Sequence, residues 1–374
     1  MKYLKGIGII VGLMFGAGVF ALPFAIAQSG VLWGVIHLLI VLVLTTFLLF
    51  LYAEITYYTE GKHRFTGYVE KFLGKKYKLF SFLVVLGSYY STLLAYAILG
   101  GVFLSSFFEN ISASKLSLIF LVVGSFLILL RLGKIALVNF YLTIPLFGFV
   151  GYLFYTAVPF MDLNNLPLTL NGFSTQGAWF LPYGVWLFSF GAMAAIPETR
   201  DIFEKSSVSS FKKTILISVI LSAIFYCLFV LSILGVSGHE TSKDALSGVL
   251  GVLGSRVILI GSAMGFLAIF TSFLALGIDL RDIFRYDYSV PKRLAWFLVI
   301  LPPFILYFLG VQNFTLIISL VGAIGGGVGG ILLVLMSYKF VRLARANLIR
   351  KSFRIVALAA FLVAIVYEAW NLFI

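Results

Sequence analysis

Eleven apolar stretches of about twenty residues, separated by short charged connections, run almost end to end through this chain of 374 residues. They fall near 6–27, 32–58, 79–107, 116–132, 135–158, 178–200, 212–236, 255–280, 293–310, 314–338 and 353–373. A helix needs about 20 apolar residues to cross the ~30 Å hydrocarbon layer of a bilayer. Inside that layer each peptide group must be bonded within its own helix or within a closed barrel. Composition makes lipid the solvent: 61% of residues are hydrophobic and 11% charged, against roughly 45–50% apolar and ~25% charged in a soluble domain. The expected fold is therefore an all-α polytopic membrane protein with eleven transmembrane helices, and the length leaves no room for a soluble catalytic or nucleic-acid-binding domain.

The net charge of +13 invites a nucleic-acid partner until the basic residues are laid on the alternating connections. Twenty-four of the 27 Lys and Arg residues fall on one side, and only Lys115, Lys243 and Arg256 fall on the other. Basic loops stay cytoplasmic. The expectation is a plasma-membrane protein with a cytoplasmic N-terminus and an extracellular C-terminus, its basic excess meeting anionic lipid and not nucleic acid. Residues 61–78 mix apolar and basic positions as a segment lying on the inner membrane surface does. Met1–Lys5 and the Ala25-Ile26-Ala27 triplet imitate a signal peptide, but the apolar stretch between them exceeds the usual 7–15 residues, so it reads as the first span.

That first span has an internal counterpart. Phe15-Gly16-Ala17-Gly18-Val19-Phe20-Ala21-Leu22-Pro23 and Phe190-Gly191-Ala192-Met193-Ala194-Ala195-Ile196-Pro197 both carry Phe-Gly-Ala at mid-span and close on proline. They open two five-helix halves, and an odd number of spans per half inverts one half relative to the other. Glycine costs ~1 kcal/mol in a helix interior and proline removes a donor, so both spans are expected to break. A break at membrane depth is tolerated where it lines a cavity, and matched breaks in two repeats point to a transporter's binding site. Freed N–H groups suit a carboxylate, while freed carbonyls suit an ammonium group or a cation. The richer run Gly322–Gly330 lacks the Lys-Ser/Thr close of a phosphate loop and reads as a packing face or flexible gate.

With these segments the chain resembles the amino acid/polyamine/organocation superfamily, and within it the amino acid/auxin permeases and their bacterial aromatic amino acid branch. The residues that carry the resemblance are Gly16–Ala25 with Gln28-Ser29-Gly30, Phe188–Gly191 with Ile196-Pro197-Glu198, and Phe270–Gly277. The resemblance implies the leucine-transporter fold: a five-plus-five inverted repeat with broken helices 1 and 6, plus one extra C-terminal helix. Its units would be residues 1–158, 159–339 and 340–374, the last comprising a basic loop and the eleventh helix. It implies that Gly16, Ala17 and Gly18 present N–H groups to a substrate carboxylate, and that Leu187, Phe188, Ser189, Phe190 and Gly191 line the pocket, with Phe188 or Phe190 on the substrate side chain. It further implies a sodium-type cation site from Gly12, Phe15, Ala268, Thr271 and Ser272, oxygen ligands that suit a hard cation; proton-coupled relatives keep similar residues, so Na+ and H+ both stay open. Of Tyr89, Tyr90 and Tyr96 in span three, Tyr90 is the one expected to reach the substrate.

Ionisable groups within spans are functional candidates by default. Glu198 is read as part of an inner gate, paired with Arg200 or a loop arginine. Glu54 is read as functional or simply paired near the interface, and Asp279, Arg281, Asp282 and Arg285 as a cytoplasmic gate or a surface network. The single cysteine, Cys227, and three scattered histidines form no metal-ligand cluster. The function expected is cation-coupled secondary transport of amino acids, neutral or aromatic, by alternating access, with no cofactor beyond the coupling ion and with substrate and lipid as partners. The alternative is a membrane sensor that keeps the pocket without transporting. An intramembrane enzyme would need paired acids or a nucleophile–base pair at one depth, which the sequence does not offer.

Overall fold

The computed structural model describes residues 2–371 apart from 62, 109, 130–134, 168–177, 205 and 341–347. The basic residues Lys62, Arg131, Lys134, Lys205, Arg342 and Arg345, which contribute to the charge asymmetry, lie outside the described residues. Apart from turns and short 3-10 segments, the described elements are helices. In chain order these are α1 (Lys2–Met14), α2 (Gly18–Ser29), α3 (Val31–Tyr58), α4 (Phe65–Leu73), α5 (Lys75–Ser105), α6 (Ala113–Leu129), α7 (Ile135–Ala157), α8 (Leu181–Ser189) and α9 (Ala195–Phe203). They continue as α10 (Val208–Ser237), the single turn α11 (Leu250–Leu253), α12 (Ser255–Tyr286), α13 (Lys292–Phe308), α14 (Phe314–Leu320), a π-helical turn (Val321–Gly326), α15 (Gly327–Lys339) and α16 (Leu348–Asn371).

Each apolar window of the sequence coincides with one of these helices or with a pair of them. The first window is divided between α1 and α2, which meet at 51°, and the sixth, expected at 178–200, between α8 and α9. Among the described residues six helical units are each long and apolar enough to cross a membrane, and the bent α1–α2 pair makes a seventh. Large apolar side chains such as Leu39, Val43, Phe126, Ile224 and Val363 are exposed, as they are on a surface solvated by lipid. The chain is a multi-pass α-helical membrane protein.

Interior packing relies on small residues, because lipid gives helices no hydrophobic reason to associate and close contact must supply the energy. On α16, Ala357, Phe361 and Ala364 are buried while Ile355, Val356, Leu362, Val363 and Val366 are exposed, a one-sided stripe at helical spacing. The Phe361 ring fills the space over Gly330, where a Cβ would come within 2.7 Å of it. On another face of the same glycine run, a Cβ on Gly322 would sit 1.8 Å from the Gly184 carbonyl oxygen of α8. The run is thus a packing face toward both α8 and α16, and its π-turn adds a bulge of the kind found at functional sites.

At the basic end, α4 packs on α5 and α15 with Thr66, Tyr68 and Val69 buried. Lys78 pairs with Glu70 at 2.6 Å, and Thr66 Oγ1 donates to Asp287 at 2.5 Å. Glu54 pairs with Lys212 and so ties α3 to α10. Arg281 is buried and donates to the Ile128 carbonyl at 2.6 Å, joining α12 to α6.

Candidate functional site

The two helix breaks touch. A Cβ on Gly18, the first residue of α2, would lie 2.3 Å from Ser189 Oγ and 3.0 Å from Ser189 Cα. Only glycine lets the start of α2 approach the end of α8 this closely. At the end of α1, Phe15 N donates to Val11 O at 2.9 Å and Gly16 N to Met14 O at 2.8 Å. Ala17 caps α2 with no side-chain acceptor, and its carbonyl takes the Phe20 N–H at 3.2 Å. The N–H groups of Gly18 and Val19, which have no acceptor within their helix, are therefore left to whatever occupies the break. The second break spans 190–194, closed by Phe190 N to Trp186 O at 3.0 Å and Gly191 N to Phe188 O at 2.9 Å.

One side chain holds both breaks. Tyr226 on α10 is fully buried, with its hydroxyl 2.7 Å from the Met14 carbonyl and 2.9 Å from the Ser189 carbonyl. Its single proton is shared between the two carbonyls that end α1 and α8. Sequence reading passed over this residue, because one tyrosine in an apolar run carries no local signal. Trp186 Nε1 donates to the Gly34 carbonyl at 3.0 Å and fixes α8 against α3.

A cavity of about 190 Å³ opens at the breaks and runs toward the basic end. Gly16, Leu187, Phe188 and Gly191 line its head. Ala17, Gly18, Ser189 and Phe190 are buried and do not line it. Of the two phenylalanines proposed for the substrate side chain, Phe188 lines the cavity, whereas Phe190 is fully buried, stacked on Trp186 and edge-on to Tyr226. The π-turn contributes Val321, Gly322, Gly325 and Gly326 to the lining; the sequence treated this run as packing or gate and did not bring it to the site.

The span-three tyrosines divide by helix geometry. Tyr89 and Tyr96 are two turns apart on one face of α5 and both line the cavity. Tyr90 is turned aside and donates to the Leu298 carbonyl of α13 at 2.9 Å, so the structure does not bring it to the cavity. The Tyr96 hydroxyl lies 2.8 Å from where a Gly16 Cβ would stand, and it comes up beside Ser272 without hydrogen-bond geometry, leaving Ser272 Oγ buried and without a partner among the described residues.

Among the residues proposed for a cation, Gly12, Phe15, Ala268 and Ser272 are buried. Thr271 Oγ1 turns back to its own helix, 3.0 Å from the Leu267 carbonyl and 3.1 Å from that of Ala268. Phe15 is packed edge-on against Phe147, Phe225 and Tyr226. Among the described residues no group of three His, Cys, Asp or Glu could hold a metal ion.

At its inner end the cavity meets charge. Arg64, which precedes α4, places Nε 3.3 Å from Asp279 Oδ1, and Tyr89 donates to Asp279 Oδ2 at 2.9 Å. The neighbouring Asp279 carboxylate raises the Arg64 guanidinium above its usual range, outweighing burial, so Arg64 is a fixed cation. Glu198 is exposed in the first turn of α9. Of the partners the sequence offered it, Arg200 instead faces Asp201 at 3.9 Å and the Thr59 carbonyl at 3.4 Å. The loop arginine, Arg64, acts on Glu198 through its charge.

Comparison with known proteins gives the fold and the family. The structure of MhsT in complex with L-phenylalanine superposes with a TM-score of 0.75, covering 96% of this chain and 98% of that one at 15% identity, so the two share a fold. The "Tyrosine-specific transport system 1" of Haemophilus influenzae (strain ATCC 51907 / DSM 11121 / KW20 / Rd) is 25% identical over 364 residues, covering 91% of this chain and 88% of that protein. The profile of the tryptophan/tyrosine permeases matches residues 1–372. That match spans nearly the whole chain, and the chain belongs to the tryptophan/tyrosine permease family, whose work is the secondary active transport of amino acids by alternating access.

Proposed function

We propose that the chain is a cation-coupled symporter of aromatic amino acids, built as eleven transmembrane helices in a five-plus-five inverted repeat with one extra helix. Its units are residues 1–158, 159–339 and 340–374. The observation that carries this reading is the contact of Gly18 with Ser189 at the head of a cavity walled by Phe188. It sets the N–H groups opening α2 opposite the carbonyl-rich end of α8, so the two poles of an amino acid meet complementary backbone. Ala17 and Gly18 offer their N–H groups to the carboxylate, and Gly16, whose own N–H is held by Met14 at 2.8 Å, shapes the cavity head beside them. Phe188, with Leu187 and Gly191, receives the side chain, and Ser189 and Phe190 support that wall.

An aromatic substrate is supported by the apolar, phenylalanine-bearing wall and by the tyrosine-specific system of Haemophilus influenzae to which the chain is similar. Cation coupling is supported by the Ser272 hydroxyl, buried and without a partner among the described residues, which with Thr271 and the carbonyls of Gly12, Phe15 and Ala268 offers hard oxygen ligands. Glu198 belongs to the inner gate, held in the field of Arg64. The 24-to-3 division of Lys and Arg supports a plasma-membrane protein with a cytoplasmic N-terminus and an extracellular C-terminus.

The test is uptake by the purified protein in proteoliposomes. Labelled L-tyrosine, L-tryptophan and L-phenylalanine should accumulate under an imposed cation gradient, with a sodium gradient and a proton gradient applied separately to identify the ion. Accumulation should collapse when that gradient is dissipated. Binding without accumulation under either gradient would sink the transport reading, and uptake of small aliphatic amino acids alone would sink the aromatic one.

A further inference from the structure

Two levels of the cavity are built alike. Helices α5 and α12 run antiparallel, with Tyr96 beside Ser272 at the head of the cavity and Tyr89 bonded to Asp279 at its inner end. Seven residues separate the two positions on each helix, which is two turns or about 10 Å. The upper level faces the broken helices at Gly16. The lower level faces Arg64, and both levels line the same cavity.

The lower level has capacity to spare. Arg64 pairs with Asp279 with Nε 3.3 Å from Oδ1, and its Nη groups make no hydrogen bond to the described residues. A guanidinium fork of this kind takes a carboxylate through two parallel bonds. Each oxygen of Asp279 has one partner, Arg64 or Tyr89, which leaves lone pairs for an ammonium group. The third group is Tyr52 of α3, whose side chain also lines the cavity. Only 1% of Tyr52 is exposed, and its hydroxyl has no hydrogen-bond partner among the described residues, although it lies within the fields of both Arg64 and Asp279. A buried hydroxyl left unbonded costs free energy, and a carboxylate on Arg64 would satisfy it.

We propose that Arg64, Asp279 and Tyr52 form a second docking position for the zwitterionic head of the substrate, two helical turns inward of the broken helices. The carboxylate lies on Arg64 and Tyr52, and the ammonium group on Asp279. Neither the ion pair nor the zwitterion carries net charge, so the occupied position adds no net charge to the cavity. The substrate stops here between the helix breaks and the basic face. This inference rests on the reading that the cavity carries an amino acid.

The position is tested by sidedness. Labelled L-phenylalanine uptake is measured in membrane vesicles that expose the basic face and in vesicles that expose the opposite face. From the basic face, Tyr52→Phe should raise KM about three- to tenfold, and Arg64→Gln or Asp279→Asn by roughly tenfold or more. From the opposite face each KM should change less than about twofold, so the ratio of the two KM values is the readout. A simple latch between Arg64 and Asp279 behaves differently: Tyr52→Phe is silent, and the exchanged pair Arg64→Asp with Asp279→Arg restores wild-type kinetics. Either result, or equal KM shifts on both faces, overturns the proposal. If the charge variants fail to fold, as judged by thermal unfolding in detergent, Tyr52→Phe decides alone, and an unchanged KM from the basic face rejects the second position. Wild-type vesicles that take up no amino acid from either face would instead reject the transport reading itself.

Discussion

Gly18 shows how little freedom the site allows at the scale of single residues. An alanine there would put its Cβ 2.3 Å from Ser189 Oγ and 3.0 Å from both Ser189 Cα and Phe188 Cδ1. The hydroxyl can rotate away, but the backbone of α8 cannot move without shifting Phe188 in the cavity wall. A shift that costs the bound state about 1.4 kcal/mol weakens binding tenfold. Gly18→Ala should therefore raise the KM for uptake by roughly tenfold or more, and adding Ser189→Ala should recover part of the loss by removing the nearest atom. An unchanged KM in the single variant would mean that the breaks are not in contact during transport. This residue was legible because glycine and proline interrupt an otherwise unbroken apolar helix. Tyr226 was not, since its role depends on two carbonyls that are 212 and 37 residues away. Sequence alone does not separate Tyr90, expected at the substrate, from Tyr89 and Tyr96, because a single residue's rotation about its helix axis cannot be read from an apolar sequence. Only the partners on α12 and α13 show which face of α5 turns inward.

At the scale of elements, sequence pattern located the helices well and their joints less completely. The windows near 32–58 and 255–280 correspond to α3 and α12 because nothing within them breaks a helix. The π-turn at Val321–Gly326 was hidden inside a window that reads as a continuous glycine-rich span, and its place in the cavity lining follows from close approach to α8. That approach is testable. A Cβ on Gly322 would meet the Gly184 carbonyl oxygen at 1.8 Å, a backbone atom that cannot step aside. Gly87 on α5, by contrast, is exposed and has nothing within 4 Å of its Cβ position. Both substitutions improve helix propensity by ~1 kcal/mol, so propensity cancels in the comparison. Gly322→Ala should lower the unfolding temperature in detergent and abolish uptake, while Gly87→Ala should leave both at or above the wild-type level. Equal behaviour of the two variants would show that α8 and the π-turn are not pressed together.

For the whole molecule, the strongest statement in the sequence is also the least local: basic residues crowd one side of every alternation of the chain. Helix α12 joins that asymmetry to the architecture. Its 32 residues make a helix of about 48 Å, well beyond the ~30 Å hydrocarbon layer. Its C-terminal end carries charge, where buried Arg281 reaches Ile128 and Arg285 and Arg281 flank Asp282. Lys243 precedes this helix and Lys292 follows it, and both are exposed. If α12 crosses the bilayer with its basic end inside, Lys243 faces the outside and Lys292 the cytoplasm. Cys227 is the single cysteine of the chain, so Cys227→Ser provides a thiol-free background for the measurement. In that background Lys243→Cys should react with a membrane-impermeant maleimide in intact cells, and Lys292→Cys should react only after the membrane is permeabilised. The reverse pattern would invert the orientation while keeping the crossing. Labelling of both positions in intact cells would remove α12 from the set of spanning helices, and with it the mid-membrane depth of Ser272 on which cation coupling depends.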